Sequence, residues 1–159
     1  AVLVSFLQGR EGGVLLTKRT AHLNKHAGQV SFPGGRIDPE DVSPEAAALR
    51  EAREEIGLDP AAVEPLGYLD AYLSGTNYFI VPVLGLVAPG FRLDVNRQEV
   101  ESVFEVPLSF LMDEENHEIH AREWRGAIRS YFAMPFGDRY IWGVTAGILR
   151  NMYQKLYAR

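Results

Sequence analysis

Glu51, Glu54 and Glu55 stand close together in the chain, and a Gly34-Gly35 pair precedes them by a little over a dozen residues. Carboxylates packed so closely repel one another unless a cation sits among them. Oxygen donors in a chain without cysteine suit a hard divalent ion such as Mg²⁺ or Mn²⁺. The glycine pair permits positive φ and lets the backbone approach a ligand closely. Together these are the parts for metal-assisted attack of water on a phosphate, in which the ion neutralises developing charge and activates the water. The competing reading is a solvated helix face, because amphipathic helices usually carry charge opposite their apolar stripe.

The elements that must position these groups can be read from local chemistry. Ser43, Pro44 and Glu45 form a helix start with Ser as N-cap and Pro at the first helical position, and Gly57 is the natural stop. Within that helix Leu49, Ala52 and Ile56 predict the buried stripe, with the three glutamates on the opposite side and Arg50 and Arg53 flanking them. Before it, Ala1 to Leu7 and Val14 to Thr17 predict a hairpin or adjacent strands. Lys18 to Gln29 predicts a loop rich in positive charge, and Val30 to Phe32 a brief strand ended by Pro33. After it, Glu64 to Leu73 and Tyr78 to Val87 predict strands, the second apolar enough to be central, with Pro82 marking a strand end or bulge. Asn96 to Val106 is an acidic segment holding Glu99, Glu101 and Glu105, followed by a short helix over Pro107 to Met112. His117 to Trp124 and Ala127 to Met134 predict a hairpin around Arg125-Gly126. A final helix begins near Gly143, with Val144, Ile148, Leu149, Met152 and Leu156 as its core face.

At 159 residues and 47% apolar content the chain is expected to form one domain, 1–159, large enough to bury a core. No apolar run reaches the ~20 residues of a membrane span, and Ala1 to Leu7 lacks the charged flank of a secretory signal. The expectation is a soluble, cytoplasmic protein that binds no membrane. A net charge of −5 with dispersed Lys and Arg argues against a nucleic-acid partner. The absence of cysteine excludes disulfides, thiol catalysis and cysteine-ligated metals. His22 with His26, and His117 with His120, have helical ligand spacing for zinc, but neither region reads as a helix.

Arg50-Glu51-Ala-Arg-Glu54-Glu55-Ile-Gly57-Leu58 matches the second half of the Nudix box, with Ala52 small where an aliphatic residue is usual. In the first half, counted from Gly35, Asp41 stands where the box has Glu, and eight residues rather than seven separate it from Arg50. That longer spacing resembles the coenzyme A pyrophosphatase branch. The second signature of the branch is similar to Leu15-Leu-Thr-Lys-Arg19, followed at the right intervals by Gly28 and Phe32-Pro-Gly-Gly35. Thr20 replaces its Ser or Ala, and Asn24 replaces its Arg, with Lys25 adjacent. The resemblance extends to Val103 to Leu108 and Ile141 to Ile148. It implies an α/β/α sandwich with a mixed β-sheet, of the α/β (α+β) class.

The same resemblance implies roles. Glu51 and Glu55 are the expected metal ligands, with Glu54 a third or water-mediated one and the Gly35 carbonyl completing the shell. Arg50 is expected to pair with Asp41 or Glu45 and hold the turn. The general base is either Glu54 or Glu99. Lys18, Arg19, Lys25 and His26 are candidates to meet substrate phosphates, while Gln29, Phe32 and Gly34 contact the ligand or shape the turn. The implied substrate is coenzyme A or an acyl-coenzyme A, acted on by a monomer or homodimer. The alternatives are a Nudix hydrolase for nucleotide sugars or dinucleoside polyphosphates, and a nucleotide-binding module without catalysis.

Overall fold

The computed structural model describes residues 1–9, 12–24 and 26–158. Strands form where aliphatic and β-branched residues are densest: β1 (Val2–Leu7), β2 (Gly13–Arg19) and the short β3 (Val30–Ser31). Helix α1 (Pro44–Ile56) follows, then β4 (Val63–Tyr68), β5 (Tyr72–Leu73), β6 (Phe79–Ile80) and β7 (Pro82–Val87). β8 (Val100–Pro107) runs directly into the four-residue helix α2 (Leu108–Leu111). The chain ends with β9 (Glu118–Trp124), β10 (Ala127–Phe136), β11 (Arg139–Trp142) and helix α3 (Gly143–Leu156).

The main sheet has six strands in the order β3-β2-β1-β7-β4, with β8 on β2. It is mixed, because β1 runs parallel to β7 and its other pairings are antiparallel. β7 lies inside it, as its apolar composition predicts, and starts at Pro82, a position that tolerates the missing N–H. β1 and β3 share one edge of β2, and the turn after β3 bonds back to the start of β1. Leu3 N donates to the Pro33 carbonyl at 2.8 Å, and Val2 bridges Gly34. The glycine turn is thereby fixed in the plane of the sheet.

Alternation along the strands makes the sheet a two-sided core. Leu3, Leu7, Leu15, Val83 and Val87 pack with Ala48, Ala52 and Ile56 of α1. Val4, Val14, Leu16 and Val106 pack with Ile148, Leu149 and Met152 of α3 and with Met134 and Ile141. The result is an α/β/α sandwich of the α+β class. A three-stranded antiparallel sheet, β11-β10-β9, and the small β5-β6 hairpin stand beside it. Among the described residues no helix is long and apolar enough to cross a membrane.

Several expectations change. The acidic segment expected over Asn96 to Val106 is a turn as far as Glu99 and then a strand, because Val100 and Val106 are buried while Glu101 and Glu105 are exposed on β8. β11 is a third strand beyond the predicted hairpin. Lys18 and Arg19 finish β2 rather than opening a loop. The predicted strand over Tyr78 to Val87 breaks at Val81, and Glu64 to Leu73 divides into β4 and β5. Leu49 is only partly buried, and Leu156, at 58% exposure on the last turn of α3, lies beyond the core it was expected to join.

Candidate active site

Helix α1 carries the carboxylates, and its ends are built from the predicted caps. Ser43 Oγ accepts from Ala46 N at 3.1 Å, and Gly57 adopts the left-handed conformation (φ 68) while its N–H bonds the Arg53 carbonyl at 2.9 Å. Two more carbonyls of the last turn are met from outside the helix. Ile56 O accepts from Asp94 N at 2.8 Å and Glu55 O from Asn96 N at 2.9 Å.

The glutamates do not share one solvated face. Glu54 is exposed and Glu51 mostly buried, but Glu55 is 5% exposed. At about 100° per residue Glu55 stands only about 60° around the helix from Ala52, which puts it at the edge of the buried stripe rather than opposite it. It accepts a backbone hydrogen bond from Gly34. Burial first, and then the charges of Glu51 and Glu99, push its carboxyl up to about 8. Glu51 is also raised, chiefly by burial. Gly35 sits against Glu51 so closely that a Cβ there would lie 2.5 Å from the Glu51 carboxyl carbon. A Cβ on Gly34 would meet the Ala1 carbonyl at 2.5 Å. Gly34 is therefore required by contact with backbone, whereas a side chain at Gly35 would displace the Glu51 carboxylate.

Arg50 holds the preceding turn to the helix. Its Nε and Nη2 donate to the two carboxylate oxygens of Asp41, each at 2.9 Å, and Nη2 also reaches the Arg36 carbonyl at 3.1 Å. The guanidinium holds Asp41 down at about 2, and Asp41 in turn raises Arg50. Asp41 also accepts from Asp38 N at 2.7 Å. Of the two expected partners the fork takes Asp41, while Glu45 hydrogen-bonds Tyr68. The remaining nitrogen, Nη1, bonds Glu51 at 3.0 Å and Glu54 at 3.3 Å.

Among the described residues no three His, Asp or Glu side chains are already gathered as a metal-coordinating set. The donor chemistry nonetheless fits a hard divalent ion. It consists of oxygen atoms only, with Glu51 and Glu55 one turn apart and both raised chiefly by burial. The Gly35 carbonyl accepts from Ala1 N at 2.8 Å, which uses one of its two lone pairs and leaves the other.

The other predicted residues divide into two groups. Glu99 is brought in by its backbone: its carbonyl accepts from Thr20 N at 3.1 Å, and its charge reaches both Glu51 and Glu55. Arg19 also acts on Glu55 through its charge, and its Nε is buried without a partner among the described residues. Lys18 pairs with Glu101 at 3.1 Å. His26 and Gln29 instead line a separate cavity of about 450 Å³ against β9 and β10. Phe32, expected to touch ligand or shape the turn, is 3% exposed and belongs to the α3-side core, so its role is packing. Lys25 lies outside the described residues.

The cavity residues on the hairpin, Arg122, Trp124, Arg129 and Tyr131, were missed by motif reading. Their signal was present in the alternation of Arg and aromatic residues on two strands predicted to pair.

The comparisons agree with this architecture. The NUDIX domain family model matches residues 1–126. Over 152 residues the chain is 40% identical to proteins of Escherichia coli and Shigella boydii, each named "Uncharacterized Nudix hydrolase NudL". These matches cover 96% of the chain and 79% of the relatives. Among solved structures, a Caenorhabditis elegans Ap4A hydrolase in a binary complex is similar with a TM-score of 0.56 at 18% identity, covering 68% of this chain and 79% of that one. A MutT protein from Methanosarcina mazei gives 0.54 at 19% identity, covering 69% and 78%. At those identities the likeness is one of fold. The domain match and the curated relatives go further, and on them the chain belongs to the Nudix family.

Proposed function

We propose that this Nudix hydrolase cuts the pyrophosphate of coenzyme A or its thioesters, giving 3′,5′-ADP and 4′-phosphopantetheine or its acylated form. The observation that carries the reading is the meeting of two signatures at one place. The Leu15 to Arg19 segment runs along β2, and Phe32 to Gly35 leads off β3 into the turn against Glu51 and Glu55. The lengthened interval between Asp41 and Arg50 runs through the N-cap Ser43 into the first turns of α1 and is closed by the bidentate fork.

Nudix hydrolases generally use divalent metal ions, and Mg²⁺ or Mn²⁺ is the reading here. When bound, such an ion polarises phosphate oxygens and lowers the pKa of water. Glu51 and Glu55 would hold it, with Glu54 and the Gly35 carbonyl as the further donors. Of the two candidate bases we take Glu99, because its charge reaches both Glu51 and Glu55, whereas Glu54 is tied to Arg50. Glu99 would receive the proton of the attacking water. Arg19, with a buried unpartnered donor, would meet a phosphate oxygen, assisted by Lys18. Arg50 positions α1 against the turn rather than touching substrate.

The test is product analysis by mass spectrometry after turnover of coenzyme A with Mg²⁺ in isotopically labelled water. It is run beside kcat/KM for ADP-ribose and diadenosine polyphosphates. The expected result is 3′,5′-ADP and phosphopantetheine, with coenzyme A preferred. Weak coenzyme A turnover beside either rival would reject the assignment.

A further inference from the structure

The cavity of about 450 Å³ lies away from the carboxylate helix and is built by parts the catalytic reading does not use. Arg122 and Arg129 are directly opposite one another across the β9–β10 pair, so their side chains share a face. Like charges in facing positions are unfavourable unless something negative joins them. Both also line the cavity, and none of its lining residues among those described is acidic, in a chain whose net charge is −5.

The guanidinium groups are held by stacking. Arg122 lies 5.0 Å from the Trp142 ring centroid and 5.9 Å from that of Tyr131, and Arg129 lies 5.5 Å from that of Trp124. Stacking fixes the plane of a guanidinium without consuming its N–H donors. Among the described residues neither arginine makes a hydrogen bond or an ion pair, so each has its donors to offer. Trp124, Tyr131 and Trp142 add aromatic surface on which a planar heterocycle can stack. The first turn of α3 opens on the same space through Gly143 and Val144, and among the described residues no side chain caps it.

The cavity is connected to the catalytic turn by the chain itself. Gln29 lines it, and from there the backbone passes through β3 to Gly35, at most about 20 Å away for six extended residues. A single extended ligand can reach both.

We propose that this cavity seats the purine nucleoside end of the substrate, with the facing Arg122 and Arg129 holding the phosphomonoester on its ribose. The inference rests on the coenzyme A reading for the identity of the nucleotide, and it makes the two arginines specificity determinants that never touch the bond being cut.

Both tryptophans of the chain, Trp124 and Trp142, line the cavity, so intrinsic fluorescence reports on it without turnover. The experiment titrates adenosine 3′,5′-bisphosphate and adenosine 5′-monophosphate into the protein in chelator. The comparison protein carries Arg122→Gln with Arg129→Gln; both side chains are exposed, and thermal unfolding verifies the fold. The expected result is a saturable change with the bisphosphate, binding at least about tenfold weaker for the monophosphate, and the same loss for the bisphosphate in the double variant. An absent fluorescence change, equal affinity for the two nucleotides, or unchanged bisphosphate binding in the variant would each overturn the proposal.

Turnover of coenzyme A and 3′-dephospho-coenzyme A is measured on the same samples. If coenzyme A is not hydrolysed while arginine-dependent bisphosphate binding persists, the substrate reading falls and the cavity assignment stands. If coenzyme A is hydrolysed and the variant keeps the wild-type preference over the dephospho form, the cavity assignment falls and the substrate reading stands.

Discussion

Replacing Glu55 by Gln should stabilise the metal-free protein at pH 8 while destroying its activity. The carboxyl is buried and pushed from 4.5 to about 8 by burial and by neighbouring Glu51 and Glu99. Below about pH 4.5 folded and unfolded chains both keep the proton, and the group contributes no difference. Between 4.5 and about 8 the unfolded chain releases it while the folded chain retains it, so stability falls as pH rises; above about 8 the loss is complete. The whole shift corresponds to about 5 kcal/mol. Relaxation of the turn and water entry will reduce this, and ~2 kcal/mol is the expected gain for Gln, or about 4–8 °C in Tm for a chain of this size. The assay is thermal unfolding of both proteins in chelator from pH 5 to 9, repeated with excess Mg²⁺. The variant should lead at pH 8, the gap should close at pH 5, and Mg²⁺ should raise the wild type more than the variant. A wild type at least as stable as the variant at pH 8 in chelator, or a gap that persists at pH 5, would refute the reasoning.

Glu51→Gln should abolish turnover with the fold retained, as judged by circular dichroism; near-normal activity at saturating Mg²⁺ would remove it from the ligand set. Gly35→Ala drives a methyl group into the Glu51 carboxyl, so kcat/KM should fall on the order of 100-fold, with unfolding still cooperative. Ser43→Ala removes the N-cap hydrogen bond and should cost about 1 kcal/mol, read as a Tm lower by about 2–4 °C, with kcat/KM at room temperature unchanged.

The helix and its turn were legible because their determinants are local. Ser43, Pro44 and Gly57 each act within a few residues, and the structure uses them as caps at the expected positions. The burial of Glu55 was hidden by treating polar residues as outward by default: the helical angle places it beside Ala52, where the Gly34 backbone and the charge of Arg19 offset part of the cost of burying a carboxylate. β8 was obscured by its acids, Glu101 and Glu105, whose side chains are exposed while Val100 and Val106 are buried and the backbone pairs along its length with β2. Phe32 could not be assigned from the sequence, since its neighbours in the core, Met134, Ile141 and Ile148, come from the far end of the chain. The cavity was the least legible feature because its walls come from several separate segments, from His26 and Gln29 to Trp142 and Val144. Only the facing of Arg122 and Arg129 was accessible in advance, given the predicted hairpin.

The bonds from Asp94 and Asn96 to the last carbonyls of α1 have a mechanical consequence. The segment that carries Glu99 is stitched at one end to the helix that carries Glu51 and Glu55, and through Thr20 to the end of β2. It cannot swing as a flap without uncovering helix carbonyls that have no other partner among the described residues. Opening it therefore amounts to fraying the helix, and the amides of Asp94 and Asn96 should exchange with solvent as slowly as those of the final turn they cover.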